Sequence, residues 1–247
     1  ETALEAVVSS LPNASRHFTY AVDVNDHEAL RKAAQSFMLR AGGIDIVIAN
    51  AGISYGTLTE RAEDLAVFES IMQTNLLATV ATFAPFIDAM KSQAANGERG
   101  LRLVGIGSVA GIRGLPGAEA YSASKAAVIS YCESLRGECR PQGVKVVTIC
   151  PGYIDTPLTR QNRYSMPFLM QPADFADRAF EAITAGASYR VIPWQMGVVA
   201  KLLRLLPNGK ALLVDFTAPH HPVEVLTLPG QSNPQGRHNF GQLPQCR

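Results

Sequence analysis

A chain of 247 residues, 47% hydrophobic and 17% charged, holds enough apolar material for one α/β domain with a sizeable core. A formal net charge of +1, with no block of like charges, gives no field for nucleic acid and no charged interaction tail. The four cysteines, Cys132, Cys139, Cys150 and Cys246, form no C-x-x-C pair and have no histidine cluster beside them. A metal site is therefore not expected, and a reduced, cytoplasmic setting is.

Residues 1–11 carry Leu4, Val7, Val8 and Leu11 on one side and predict the tail of an amphipathic helix. Residues 18–22 are a short β-prone run ending at Asp23-Val24. Asp26 is placed to cap a helix over 27–40, which Gly42-Gly43 stops. Residues 44–49 are apolar except Asp45 and predict a buried strand ending in Asn50-Ala51-Gly52. A long helical stretch covers 63–91, with Asn75 inside it. After the turn signals Asn96-Gly97 and Gly100, residues 101–106 predict another strand, followed by Gly107-Ser108. A helix rich in Ala, Ser and Leu covers 120–135 and ends near 141–143. Residues 144–149 are a further buried strand, closed by Pro151-Gly152. A helix over 173–185 and a strand over 189–192 complete the alternation, which predicts βαβ units and a parallel sheet. Residues 194–206 form an apolar, weakly basic helix candidate, too short and too charged to span a bilayer. It is either a packing helix or dimer contact, or an interfacial helix that touches a membrane or a lipid-like substrate. One domain is expected over 1–216, with an irregular or disordered tail over 217–247, where Pro, Gln, Asn and His accumulate.

Tyr121 and Lys125 lie four residues apart and so share one face of their helix. A tyrosine titrates near about 10 and is a poor acid–base catalyst at neutral pH, but a nearby cation favours the phenolate. Ser108 stands thirteen residues upstream at a strand end and offers a hydroxyl to orient a carbonyl. Gly105-Ile106-Gly107-Ser108-Val109-Ala110-Gly111 looks like a phosphate loop, but residues 112–117 contain Arg, Gly and Pro and open no helix. Phosphate binding needs a helix N-terminus at that point, so this stretch is read as the Ser108 loop.

Asn50-Ala51-Gly52, Asn75, Ser108, Tyr121, Lys125 and Pro151-Gly152-Tyr153-Ile154-Asp155-Thr156 come in an order and spacing that resembles the short-chain dehydrogenases/reductases, over roughly 18–193. The resemblance implies a Rossmann-like, doubly wound parallel sheet in three α/β/α layers, with ligands beyond the carboxyl ends of the strands. It implies a catalytic set of Asn75, Ser108, Tyr121 and Lys125. Ser108 would donate to the substrate oxygen, Tyr121 would be acid or base, and Lys125 would bond the nicotinamide ribose. Asn75 would hold a relay water. It further implies that Asp23, Val24, Asn50, Ala51, Gly52, Tyr121, Lys125, Pro151, Gly152, Ile154 and Thr156 bind NAD or NADP, with NADP favoured. Pairing through the helices that hold Asn75 and Tyr121 would give a homodimer or homotetramer.

The family's first strand, its T-G-x-x-x-G-x-G loop, the following helix and the second strand are not found in these residues. The 18–22 strand then lacks its neighbour and the 44–49 strand has a bare edge, so poor cofactor binding or marginal folding is expected. The substrate is expected to be a small apolar carbonyl or alcohol, because the segment 158–170, with Tyr164, Met166, Phe168, Leu169 and Met170, is placed to cover the pocket. Two alternatives stand beside this oxidoreductase reading. One is a membrane-associated lipid or steroid keto-reductase; the other is a non-catalytic dinucleotide-binding relative or inactive fragment.

Overall fold

The computed structural model describes residues 2–157, 159–160 and 165–205. The tail over 217–247 and part of the pocket-covering segment lie outside the described residues. Contacts divide the chain into two units, with a boundary between Asp23 and Val24.

The first unit opens with helix α1 (Thr2–Ser10), which leaves Leu4 and Val7 exposed. Residues 18–22 do not form the expected strand. They keep its alternation, with Phe18, Tyr20 and Val22 half-buried and Thr19 and Ala21 exposed, yet no ladder among the described residues includes them. β-propensity measures fit to a pleated, paired surface rather than a backbone preference.

The second unit carries the sheet. Helix α2 (His27–Ala41) starts where Asp26 Oδ1 accepts from the Ala29 N–H at 2.9 Å. It ends at Gly42, whose φ of 79° is the left-handed conformation that glycine adopts without steric cost. Strand β1 (Ile46–Ala49) leads into a helical run of α3 (Asp64–Met72), a π turn (Gln73–Leu77) and α4 (Ala78–Ala95). Strand β2 (Arg102–Ile106), a 3-10 turn (Val109–Gly111), α5 (Glu119–Cys139), β3 (Lys145–Pro151), α6 (Pro172–Thr184), β4 (Tyr189–Ile192) and α7 (Trp194–Leu205) follow. The four strands are parallel in the order β1-β2-β3-β4.

Alternation along the strands sends successive side chains to opposite faces. Leu103 and Val146 join Phe83, Met90, Val128 and Cys132 in a core under α4 and α5. Their neighbours Val104 and Val147 join Ile149, Ala179, Ile183 and Ile192 in a second core under α6. Helices therefore cover both faces, as the three-layer expectation requires. Residues 44–49 are less buried than expected: β1 is the outer strand among those described, and Ile48 is 48% exposed. By length and composition the run over 64–95 could cross a membrane. Here it packs on β1 and α5 and contributes Phe83 and Met90 to the core.

Candidate active site

The carboxyl ends of β1, β2 and β3 present Asn50-Ala51-Gly52, Gly107-Ser108 and Pro151-Gly152 along one sheet edge. Helix α5 crosses behind that edge. Lys125 is 5% exposed, and its Nζ donates to the Ile106 carbonyl at 2.9 Å, two residues before Ser108. The same Nζ lies 5.8 Å from the centroid of the Tyr121 ring, so phenol and ammonium share one face, as the four-residue spacing requires. Burial pulls the Lys125 ammonium down to about 8; the Cys150 thiol nearby opposes that shift only in part, and no carboxylate does. Lys125 donates one of its three N–H groups to Ile106 and keeps two for other acceptors.

Ser108 is 7% exposed. Its Oγ accepts from the Ala110 N–H at 3.1 Å, and that bond leaves the hydroxyl proton free to be donated. Gly111 holds this loop against α5. A Cβ added to it would fall 2.7 Å from the Lys125 carbonyl carbon and 2.8 Å from the Ala126 nitrogen, so only glycine permits the approach. The glycines after β2 therefore seat the serine loop on α5, and no phosphate-type helix opens there.

Asn75 is fully buried in the π turn. Its Oδ1 accepts from the Ile53 N–H at 2.8 Å, and its Nδ2 donates to the Ile53 carbonyl at 3.0 Å and to Ser124 Oγ at 2.9 Å. Ser124 Oγ in turn donates to the Tyr121 carbonyl at 2.8 Å. One amide thus ties the segment after Asn50-Ala51-Gly52 to the Tyr121 turn of α5. The π turn widens the helix by one residue at the point where Asn75 must reach sideways. A Cβ at Gly52 would stand 3.2 Å from Asn75 Oδ1 and 3.3 Å from Lys125 Nζ. Both polar atoms therefore lie against the same small residue, whose backbone is exposed.

Val24 precedes Asn25, whose Nδ2 donates to Thr74 Oγ1 at 3.3 Å beside Asn75. Asp23 belongs to the first unit. Gly152 donates its N–H to the Ile192 carbonyl at 2.8 Å, and a Cβ there would meet Met196 and Pro193. Ile154 bridges to Met170. Thr156 Oγ1 lies 3.3 Å from Thr159 Oγ1, and Asp155 is paired with Arg160 at 2.7 Å. The exposed backbone at Asn50-Ala51-Gly52 and the spare donors of Lys125 suit the sugar hydroxyls of a dinucleotide. A cavity of about 250 Å³ between α5, β4 and α7, lined by Ile112, Ile129, Glu133, Arg136, Tyr189 and Arg204, includes none of the four catalytic candidates.

Sequence reasoning missed Ser124 and Gly111. The signal for Ser124 was present, because it stands three residues after Tyr121 and so reaches that residue's carbonyl. Gly111 carries a normal φ, and only the approach of α5 shows why it is glycine.

The model described as short chain dehydrogenase matches residues 1–166. An uncharacterized oxidoreductase of Myxococcus xanthus (strain DK1622) is 37% identical over 187 residues, which is 76% of this chain and 72% of that protein. A 3-oxoacyl-(acyl-carrier-protein) reductase, FabG, of Chlamydia muridarum (strain MoPn / Nigg) is 33% identical over 143 residues, covering 56% of this chain and 54% of its own length. The crystal structure of a short chain dehydrogenase from Burkholderia cenocepacia J2315 in complex with NADP resembles this fold with a TM-score of 0.63 at 27% identity, over 74% of each chain. The sheet edge and the matched sequence thus lead to one assignment: the chain belongs to the short-chain dehydrogenases, a family of nicotinamide-dependent oxidoreductases.

Proposed function

We propose that the chain catalyses reversible hydride transfer between a nicotinamide dinucleotide and the carbonyl or alcohol of an apolar substrate, with Tyr121 as acid or base. The observation that carries this reading is the buried Lys125 ammonium, 5.8 Å from the Tyr121 ring and bonded to the strand end that leads into Ser108. The cofactor supplies the hydride; the protein supplies orientation and charge. Ser108 donates its free hydroxyl proton to the substrate oxygen. Tyr121 gives that oxygen a proton in reduction and removes it in oxidation. Lys125 stabilises the phenolate by charge and offers its two spare N–H groups to ribose hydroxyls. Asn75 Oδ1 keeps one lone pair after accepting from Ile53 and lies with Lys125 against Gly52, which supports its role in holding a relay water. Val24, Asn50, Ala51, Gly52, Pro151, Gly152, Ile154 and Thr156 complete the dinucleotide site.

A second reading, a lipid or steroid ketone as substrate, is favoured by exposed apolar residues on both sides of the Pro151-Gly152 segment. Phe168 and Leu169 are 49% and 44% exposed near Met170, and Trp194 follows Pro193, which packs on Gly152. Exposed Leu65 and Leu77 on the helical run that holds Asn75 support a homo-oligomer. The buried free thiols Cys132, Cys139 and Cys150 support a reduced, cytoplasmic setting.

The test is oxidation of NADH and of NADPH by the 247-residue chain over a panel of aliphatic, acyl and steroid ketones. Tyr121→Phe is expected to abolish turnover while circular dichroism and the unfolding midpoint stay at wild-type values. Wild-type kcat in that variant would refute the acid–base assignment.

A further inference from the structure

Helix α7 presses one face onto the sheet. Met196 and Ala200 are buried, and a Cβ at Gly197 would stand 3.0 Å from Val191 of β4. The opposite face is apolar and open: Trp194 is 66% exposed, Val198 47%, Leu202 59% and Leu205 80%. Their spacing of four, four and three residues puts all four in one row along the helix. Singly scattered apolar residues on a surface need no explanation, but a continuous row marks a contact site.

Charge narrows the occupant. Arg190, Lys201, Arg204 and Lys210 lie in a stretch with no Asp or Glu between Glu181 and Asp215. Lys201 is exposed and sits three residues after Val198 and four before Leu205, at the edge of the row. Arg204 is exposed too but is tied back to the protein, where it donates to the Ile112 carbonyl at 2.7 Å and lines a cavity with Glu133. Area also bears on the choice. Four side chains on a twelve-residue helix expose on the order of several hundred Å², short of the ~800 Å² per partner that a stable protein–protein interface buries. A tryptophan at one end, aliphatic residues along the row and a cation at its edge are the composition of a helix lying at a bilayer surface.

We infer that the Trp194, Val198, Leu202 and Leu205 face of α7 docks on an anionic lipid bilayer, with Lys201 against the headgroups. This does not depend on the oxidoreductase reading, because lipid binding needs no turnover.

Trp194 is the sole tryptophan of the chain and reports its own environment. The full 247-residue protein is mixed with vesicles of phosphatidylcholine alone and of phosphatidylcholine with 30% phosphatidylglycerol. Expected with the anionic vesicles are co-sedimentation, a blue shift of tryptophan emission, and quenching by lipids brominated in the acyl chain. Lys201→Glu is expected to weaken anionic-vesicle binding by more than about fivefold, the effect of one basic residue near a charged surface, and to leave binding to neutral vesicles unchanged. Leu202→Asp, at an exposed position that leaves the buried face intact, is expected to abolish binding to both. Emission unchanged by anionic vesicles overturns the inference. So does a concentration-dependent dimer that Leu202→Asp splits while vesicles pull down no wild-type protein, because the face would then belong to a second copy of the chain.

Discussion

Replacing Lys125 by Met tests the energetic reading of the site without any turnover. Burial lowers the ammonium from 10.5 to about 8. A shift of that size corresponds to about 3 kcal/mol of unfavourable charge burial, as an order of magnitude. Below about pH 8 the folded and unfolded chains both hold the proton, and the native state bears the full cost. Between about 8 and 10.5 the unfolded chain binds a proton that the native chain has released, so native stability rises with pH. Above 10.5 the cost is gone. Lys125→Met removes the buried charge but leaves the Ile106 carbonyl without its 2.9 Å donor, a loss of ~1–3 kcal/mol. The variant is therefore expected to equal or exceed wild type by up to ~2 kcal/mol at pH 7, and to fall below it by ~1–3 kcal/mol near pH 10. Urea unfolding of both proteins at pH 7, 8.5 and 10 measures the difference. Cys132, pushed by burial up to about 11, ionises first in the unfolded chain, but it is common to both proteins and cancels in the comparison. Cys150, also pushed up to about 11, is held down in part by Lys125 and does not cancel, so both proteins carry Cys150→Ser. A difference that stays constant from pH 7 to 10 would show that burial is not what depresses the ammonium.

Three further outcomes follow from the same geometry. Gly111→Ala forces a Cβ against the α5 backbone and is expected to cost ~1–3 kcal/mol. It should lower kcat more than any surface Gly→Ala change, because it moves the Ser108 loop away from Lys125; thermal unfolding and steady-state kinetics read both effects. Ser124→Ala leaves an Asn75 N–H unpaired in a fully buried position, a loss of ~1–3 kcal/mol, with Asn75→Ala in the Ser124→Ala background adding less than it does alone. Double-mutant unfolding checks that non-additivity. With Cys246 changed to Ser, the remaining thiols are expected to resist a disulfide reagent at pH 8 until urea is added, since all three are buried; rapid labelling of the native protein would contradict their placement.

Much of the main sheet was legible because its signals are local. The apolar strands at 101–106, 144–149 and 189–192, the cap at Asp26 and the stop at Gly42 each depend on a few adjacent residues. The Tyr121–Lys125 face needed only the helical repeat. What escaped depends on contacts distant in sequence. The π turn exists where Asn75 clasps Ile53, 22 residues away, and one extra residue in a 32-residue helical run hardly disturbs its periodicity. The run at 18–22 has the composition of a strand, but a strand is a property of a ladder and not of five residues. Ile48 reads as core from its neighbours and is exposed because no described strand lies beyond β1.

The case for chemistry at this edge finally turns on what Lys125 lacks. Ion pairs among the described residues join Glu28 to Arg31 and Lys32, and Asp155 to Arg160, each with an exposed cation. Lys125, far more buried than any of these cations, has a carbonyl and an aromatic ring beside it but no carboxylate. As a stabilising device this is poor, since an apolar side chain of similar volume would fill the space without burying charge. On the proposed mechanism a buried cation without a carboxylate serves in two ways: it donates to ribose hydroxyls and it stabilises a negative charge that comes and goes beside it. In that proposal the phenol one helical turn away develops such a charge each time it gives up its proton, and Ser108, at the end of the strand that Lys125 holds, steadies the oxygen that receives it. The instability built into Lys125 is thus an argument about function, and the urea comparison of Lys125→Met with wild type measures its size before a substrate is known.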